Sequence, residues 1–109
     1  MSNMEFEKMA TATEITIYDN GEGIVLVRLA QYDVEKLISR SQAKQLLDRI
    51  DKFKVVIFDF AEVETIGQAF ADEIFRVFRR QHPAIEIFYL NASDSVRRMI
   101  SRAEKHTGP

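Results

Sequence analysis

Residues 54–80 have the sequence KVVIFDFAEVETIGQAFADEIFRVFRR, which predicts a strand, an acidic loop and a helix in succession. The run from Val55 to Phe58 is apolar and rich in β-branched residues, as expected for a strand that is buried on both faces at the centre of an α/β sheet. After Gly67 the apolar residues recur with helical spacing, and the helix is expected to end before Pro83. We therefore expect a central strand followed by a helix that packs against the sheet.

The helix after Gly67 carries both a core face and a charged face. Asp72 and Arg76 are four residues apart, so they are expected to form an ion pair on its surface. Phe70, Phe75 and Phe78 are expected to belong to the core. Phe75 lies about 100° around the helix from its neighbour Ile74, and it would be a docking residue if it were exposed. The apolar stripe expected to face the core consists of Phe70, Ile74, Val77 and Phe78.

The rest of the chain predicts three more strands and two more helices. Alternating apolar residues over 14–18 and a second strand over 24–29 predict a hairpin around the turn sequence DNGEG. A capping box at Ser39 begins the first of these helices, residues 85–90 form the fourth strand, and Ser93 begins the last helix. The order β-β-α-β-α-β-α implies a mixed four-stranded sheet with right-handed crossovers.

Composition limits the class of protein. With 109 residues, 46% of them hydrophobic, the chain is expected to form one domain over residues 14–106, preceded by a flexible arm over residues 1–13. No apolar run approaches the roughly 20 residues of a membrane span, and the N-terminus does not have the pattern of a signal peptide. A cytoplasmic location without membrane insertion is therefore expected. The net charge of −2 argues against a nucleic-acid partner.

Polar residues collect where the predicted parallel strands end, which is where ligands and partners usually meet such sheets. The loop after the central strand carries Asp59, Glu62 and Glu64, and clustered carboxylates can bind hard cations. However, the chain has no cysteine, and neither His82 nor His106 has metal-binding spacing. A solvated loop in which Asp59 accepts hydrogen bonds is the favoured interpretation, so no metal, cofactor or catalytic residue is predicted.

Other candidate sites are weaker. Thr65 lacks a nearby base that would make it a nucleophile, and its favoured role is to cap the helix that starts near Gly67. Free N–H groups at the helix starts could hold a phosphate, but the Walker A and G-x-G-x-x-G patterns are absent. The basic outer face of the last helix, which includes Arg102, could bind an acidic partner, although a solvated face is the commoner explanation.

The strings ISRSQAKQLL, VVIFDFAEVETIGQAFADEIFRVF and HPAIEI, together with the loop at Asn91, resemble a bacterial family called the STAS-like domain of unknown function. The resemblance runs from about Ile38 to Ala103, and GQAFADEIFRVF is its most specific part. The order of elements and the central Asp-loop-Gly-helix are more distantly similar to the STAS domain of anti-sigma factor antagonists. This resemblance implies a STAS-like α/β fold and a regulatory module that is not an enzyme.

In the antagonists, the second serine of an Asp-Ser-Ser-Gly-type loop is phosphorylated by the partner kinase, an ATPase of the histidine-kinase superfamily that docks on this loop and the following helix. Aligning Gly67 with that glycine places Thr65 at the first serine and Ile66 at the second. The usual acceptor is therefore missing, and Thr65 remains as the possible phospho-acceptor. We expect no phosphorylation of the loop.

The resemblance and the polar residues together predict a docking surface for a cytoplasmic protein, with such an ATPase as the candidate partner. An alternative is a small-molecule or nucleotide-binding module, or an enzyme, that uses Asp59, Glu62 and Arg40. The sequence predicts no oligomeric state. The residues predicted to form the docking surface are Ser39, Arg40, Asp59, Glu62, Glu64, Thr65, Gly67, Gln68, Asp72 and Arg76.

Overall fold

The computed structural model describes residues 7–11, 16–29 and 37–105, and it confirms the predicted α/β fold. The five strands of one mixed sheet are β1 (Glu7–Thr11), β2 (Thr16–Asp19), β3 (Ile24–Arg28), β4 (Val55–Asp59) and β5 (Glu86–Leu90). The helices are α1 (Arg40–Leu47), α2 (residues 68–81) and α3 (Asp94–Lys105). No helix within these ranges is both long enough and apolar enough to cross a membrane.

The strands lie in the sheet in chain order, β1-β2-β3-β4-β5. β1, β2 and β3 are antiparallel, whereas β3, β4 and β5 are parallel, so β4 is the predicted central parallel strand. The predicted hairpin turn is confirmed, because Asn20 Oδ1 accepts from the N–H groups of Glu22 (2.8 Å) and Ile24 (3.2 Å). Gly21 in that turn has φ +81°, a conformation that favours glycine. Residues 30–36 lie outside the described ranges.

β1 lies within the segment predicted to be a flexible arm, residues 1–13. Its backbone pairs antiparallel with β2. Without this pairing, the N–H and C=O groups along one side of β2 would have no partners in the sheet. The predicted arm is therefore corrected over Glu7–Thr11, while residues 1–6 and 12–15 lie outside the described ranges.

Within the described residues, the helices cover one face of the sheet. The crossovers β3-α1-β4 and β4-α2-β5 move in the same direction along the sheet, and right-handed crossovers then place both helices on one side. Val56 and Phe58 point to this side and are fully buried, whereas Val55 and Ile57 point to the other side and are half-buried. The prediction that β4 is buried on both faces is therefore wrong, because no described element packs on its second face.

This asymmetry predicts different effects for one substitution at two neighbouring positions. Val56→Ala is expected to lower the free energy of unfolding by about 2 kcal/mol, because it opens a cavity in the core. Val55→Ala is expected to cost less than about 1 kcal/mol, because its side chain already contacts water. Urea denaturation of both variants gives the comparison. Equal losses would show that the second face of the sheet is covered as well as the first.

α2 changes its geometry along its length. It is α-helical over Gln68–Asp72, π-helical over Glu73–Phe78 and α-helical again over Arg79–Gln81. Phe75 is buried, and its ring lies edge-on to those of Phe58 (centroids 5.9 Å apart) and Tyr89 (6.0 Å apart). The wider π-helical turn changes which residues share a face, since its hydrogen bonds join residues five apart. Phe75 therefore belongs to the core and is not a docking residue.

Candidate functional site

The loop that follows β4 is fixed at its start by Asp59. One oxygen of this carboxylate, Oδ1, accepts from the N–H of Ala61 and from Asn91 Nδ2, both at 3.0 Å. The other oxygen lies 3.6 Å from Arg28 Nε. These bonds confirm the expected role of Asp59 as a hydrogen-bond acceptor for the loop, and they place it beside Arg28 at the end of β3 and away from the helices.

Gly67 fixes the other end of the loop against the start of α1. Its N–H donates to the carbonyl of Leu37 at 2.8 Å, and the N–H of Phe70 donates to the carbonyl of Ile38 at 3.1 Å. A Cβ atom at Gly67 would lie 2.4 Å from that Ile38 oxygen, so a larger residue does not fit. Ile66, just before it, is buried in the core. The backbones of α1 and α2 are thus in direct contact where both helices begin.

Thr65 is joined to α3. Its hydroxyl shares a hydrogen bond with the hydroxyl of Ser95 at 2.8 Å, and Ser93 Oγ donates to the carbonyl of Glu64, also at 2.8 Å. The residue before the first turn of α2 is Gly67, and no side chain caps that turn. The prediction that Thr65 caps α2 is therefore wrong, because its hydroxyl points to α3 and bonds there.

Ser39 begins α1 as the capping box predicted. Its Oγ accepts from the N–H of Gln42 at 3.1 Å, and Gln42 Oε1 accepts from the N–H of Ser39 at 2.9 Å. The Ser39 hydroxyl group is therefore bonded to the backbone of its own helix. Its contribution to the site is to begin the helix at the point where Arg40 can reach α2.

An ion pair between an exposed arginine and a buried glutamate connects α1 to α2. Arg40 Nη1 donates to Glu73 Oε1 at 2.8 Å, and Glu73 is only 3% exposed. This hydrogen bond raises the pKa of Arg40. A carboxylate that is buried to this extent is costly unless it is paired. The buried Glu73 therefore holds the Arg40 guanidinium in place.

Asp72 links Arg40 to Arg76. The carboxylate accepts two bonds from Arg76, one from Nε and one from Nη2, both at 2.6 Å, and a third from Arg40 Nη2 at 3.3 Å. The bonds from Arg76 lower the pKa of Asp72, and the same bonds raise the pKa of Arg76. The predicted Asp72–Arg76 pair is confirmed, and it holds a planar guanidinium in a fixed orientation.

These charged residues line a groove between α1, α2 and α3 with a volume of about 560 Å³. Gln68 Nε2 donates to the carbonyl of Met99 at 3.0 Å and so connects α2 to α3. The Gln68 Oε1 atom is buried and finds no hydrogen-bond partner among the described residues. The residues that line this arginine groove are Arg40, Gln68, Ala69, Asp72, Arg76 and Arg102.

The arginine groove carries an excess of positive charge. The guanidinium groups of Arg40, Arg76 and Arg102 are accompanied by the carboxylates of Asp72 and Glu73, which leaves one positive charge without a counterpart. Arg102 is exposed and makes no ion pair among the described residues. The groove can therefore accept a carboxylate or a phosphate.

The structure divides the predicted docking residues between several places. Arg40, Gln68, Asp72 and Arg76 meet in the arginine groove. Arg40 bonds to Glu73 and Asp72 rather than to Asp59 or Glu62, so the alternative cluster is not assembled. Ser39 caps α1. The other predicted residues lie at the end of β4 or in the loop that joins it to α2, and they are Asp59, Glu62, Glu64, Thr65 and Gly67.

Sequence analysis missed Glu73 and gave too little weight to Arg102. Glu73 lies three residues after Phe70 and four before Val77, which places it on the apolar stripe of the helix. A carboxylate in that position is a usable signal for a buried ion pair. Arg102 reaches the groove because α3 packs against α2, and the spacing of residues within one helix cannot reveal that contact.

A family model and a solved structure are similar to this chain. A family model described as a STAS-like domain of unknown function matches residues 42–97, just over half of the chain. No curated protein matches it. A solved structure described as "The overall structure of SLC26A9" is 16% identical with a TM-score of 0.46, and the alignment covers 78% of this chain and 16% of that chain.

Proposed function

Because the chain belongs to the family of STAS-like domains of unknown function, we propose that it is a regulatory module without enzymatic activity. A cytoplasmic protein docks on it through the arginine groove and the adjoining acidic loop. The observation that carries this proposal is the fixed charge array of Arg40, Asp72 and Arg76, with Arg102 unpaired among the described residues. A partner that presents carboxylates would complement the excess positive charge of the groove.

The contacts in the groove favour binding over catalysis. The carboxylate of Asp72 accepts bonds from two arginines, and that of Glu73 is buried beneath Arg40. A general acid or base must be free to exchange a proton with a substrate, and these two groups are committed to ion pairs. Arginines held in place by such pairs are well suited to recognition, because little side-chain freedom remains to be lost on binding.

The acidic loop extends this surface. Glu62 and Glu64 are exposed, and Glu62 has φ +69°, which is uncommon for a residue other than glycine. The loop therefore presents negative charge just before α2, the helix that lines the positive groove. A partner with the opposite arrangement of charges would match both the loop and the groove. The resemblance to anti-sigma factor antagonists suggests an ATPase of the histidine-kinase superfamily as the kind of partner to test first.

Reversing one charge in the groove tests the proposal. Arg102→Glu is expected to weaken partner binding tenfold or more, which corresponds to about 1.4 kcal/mol. Arg98→Glu makes the same change at another exposed position of α3 that does not line the groove. Both variants should remain folded, since exposed substitutions usually change stability by less than about 0.5 kcal/mol. The measurement is capture of the partner from host lysate by immobilised chain, with identification by mass spectrometry.

The outcome separates docking in the groove from docking elsewhere. Loss of the captured protein with Arg102→Glu, and its retention with Arg98→Glu, supports the proposal. Equal capture by both variants means that the partner binds a different surface. Equal loss with both variants means that the overall charge of α3, rather than the groove, attracts the partner.

The excess positive charge also favours a second candidate, an anionic small molecule such as a nucleotide. Its phosphates would bind the guanidinium groups that line the groove. Thermal denaturation with nucleotides or inorganic phosphate distinguishes the two candidates, since a ligand that binds the native state raises its melting temperature. A saturable rise of several degrees that Arg102→Glu removes would support the ligand, and no rise would favour a protein partner.

We expect Thr65 to carry no phosphate. Its hydroxyl is half-buried and bonded to Ser95, and the neighbouring Ile66 has no hydroxyl group. A phosphate on Thr65 would place nearly two negative charges where α3 packs against the loop. Intact-mass analysis of protein from its own host, and again after incubation with a partner kinase and ATP, is expected to show the unmodified mass. A phosphate mapped to Thr65 would restore a phosphorylation switch.

A further inference from the structure

β5 forms one edge of the sheet, and half of its backbone groups point outward. Glu86 N–H donates to the carbonyl of Lys54, and the carbonyl of Leu90 accepts from Phe60 N–H, both at 2.9 Å. Since backbone direction alternates along a strand, residues 86, 88 and 90 face β4, whereas Ile87 and Tyr89 face away from it. Among the described residues no strand pairs with this outer side of β5.

The same strand exposes apolar side chains on both of its faces. Phe88 is 50% exposed, Tyr89 is 36% exposed and Leu90 is 46% exposed. Ile38 is the other large apolar side chain that is exposed within the described residues. Natural edge strands usually carry lysine, proline or a bulge that discourages pairing, and the sequence of β5, EIFYL, contains no lysine or proline. An edge with these properties is suited to pairing with another strand.

We propose that β5 pairs with β5 of a second copy of this chain, antiparallel and about a twofold axis at Phe88. This register places Ile87 opposite Tyr89 of the second copy, and Phe88 opposite Phe88 of the second copy. Both Ile87–Tyr89 pairs then exchange N–H and C=O groups that are turned outward in the single chain. All three exposed apolar side chains of the strand lie in the interface, and the two sheets become one.

The charges near this edge permit self-pairing. Glu86 falls opposite Leu90 of the second copy, so no like charges face each other along the strands. Arg79 Nη2 donates to the Ile87 carbonyl at 3.3 Å, and a carbonyl oxygen can accept a second bond. Arg79 is itself paired with Glu104 at 2.9 Å, which balances its charge beside the edge. The argument for a second copy is this match of register and charge.

The interface is small, so the dimer is expected to depend on concentration. Five paired residues bury less than the roughly 1,200 Å² that stable interfaces remove from water. Sedimentation velocity over a concentration range up to about 1 mM, where dissociation constants in the micromolar to millimolar range are detected, is therefore the measurement. The unmodified chain is expected to change from monomer to dimer across this range.

Two charge variants identify the axis. Phe88→Lys and Phe88→Glu are each expected to remain monomeric, because like charges would meet at the axis, whereas an equimolar mixture is expected to recover the dimer. Ile38→Lys is the matched control, since it changes another exposed apolar residue, and it should dimerise like the unmodified chain. A dimer that either Phe88 variant retains alone, or that the mixture fails to recover, would overturn the proposed register.

A measurement on the unmodified chain covers the case in which the variants do not fold. Amide hydrogen exchange at Tyr89 is expected to slow as concentration rises, because its N–H is bonded in the dimer. A residue in a strand far from β5, such as Tyr18 in β2, should exchange at the same rate throughout. A chain that stays monomeric up to about 1 mM without added protection at Tyr89 would overturn the proposal, leaving the edge to a foreign strand or to solvent.

Discussion

Replacing Gly67 with alanine is expected to lower the free energy of unfolding by about 3 kcal/mol, the upper end of the usual range for overpacking. The new Cβ would lie 2.4 Å from the carbonyl oxygen of Ile38 and 2.7 Å from its Cα. These are backbone atoms, so they cannot move aside as the end of a flexible side chain would. Relief of the clash requires α1 and α2 to separate where Gly67 N–H bonds to Leu37. Urea denaturation measures the loss.

Gly21→Ala is the control for this substitution. Gly21 has φ +81° but nothing lies within 4 Å of an added Cβ, so the change is expected to cost about 1 kcal/mol from backbone strain alone. Gly67 has φ −76°, an ordinary value, so its larger effect would come from the contact with Ile38. Equal losses for the two variants would show that the two helices are not held rigidly together at Gly67.

Arg40→Met is expected to cost about 2–3 kcal/mol, because it leaves the Glu73 carboxylate buried without a partner. This loss is smaller than the usual range for buried pairs, because the Arg40 side chain is 45% exposed. Water can therefore replace part of the interaction that Glu73 loses. The loss is measured as the change in the free energy of unfolding at neutral pH. It tests whether the ion pair beneath the arginine groove holds α1 against α2.

The double variant Arg40→Met with Glu73→Met distinguishes the contribution of the ion pair to stability from that of side-chain packing. Removing both charges eliminates the unpaired carboxylate, so the double variant is expected to regain most of the lost stability. A double variant as unstable as the sum of the single variants would show that the two side chains contribute independently. The effect of Arg40→Met would then arise from lost packing rather than from the ion pair.

The order of elements could be predicted because local signals agree with the tertiary structure. The capping box at Ser39 and the turn at Asn20 are both confirmed, and each depends only on residues within four positions. The apolar run from Val55 to Phe58 was less informative. A continuous apolar run has no period, so it cannot distinguish a strand that is covered on both faces from one that is covered on a single face.

Only some of the contacts in the candidate site could be predicted, because its residues lie on three different helices. The Asp72–Arg76 pair depends on spacing within one helix, and it was predicted correctly. The pairing of Arg40 with Glu73 and the approach of Arg102 depend on how α1 and α3 pack against α2. The spacing of residues along the chain contains no direct signal for those contacts. Phe75 was expected to belong to the core despite its offset from the apolar stripe, and its burial confirms this.

The most direct test of the arginine groove as a docking site is crosslinking from inside it. A photo-reactive amino acid at Ala69, which lines the groove and is half-buried, would be compared in living host cells with the same amino acid at Arg98 on the exposed part of α3. The proposed function predicts that one protein is crosslinked from position 69 and is absent, or much weaker, from position 98. Identical crosslinks from both positions, or crosslinks from position 98 alone, would contradict docking in the groove.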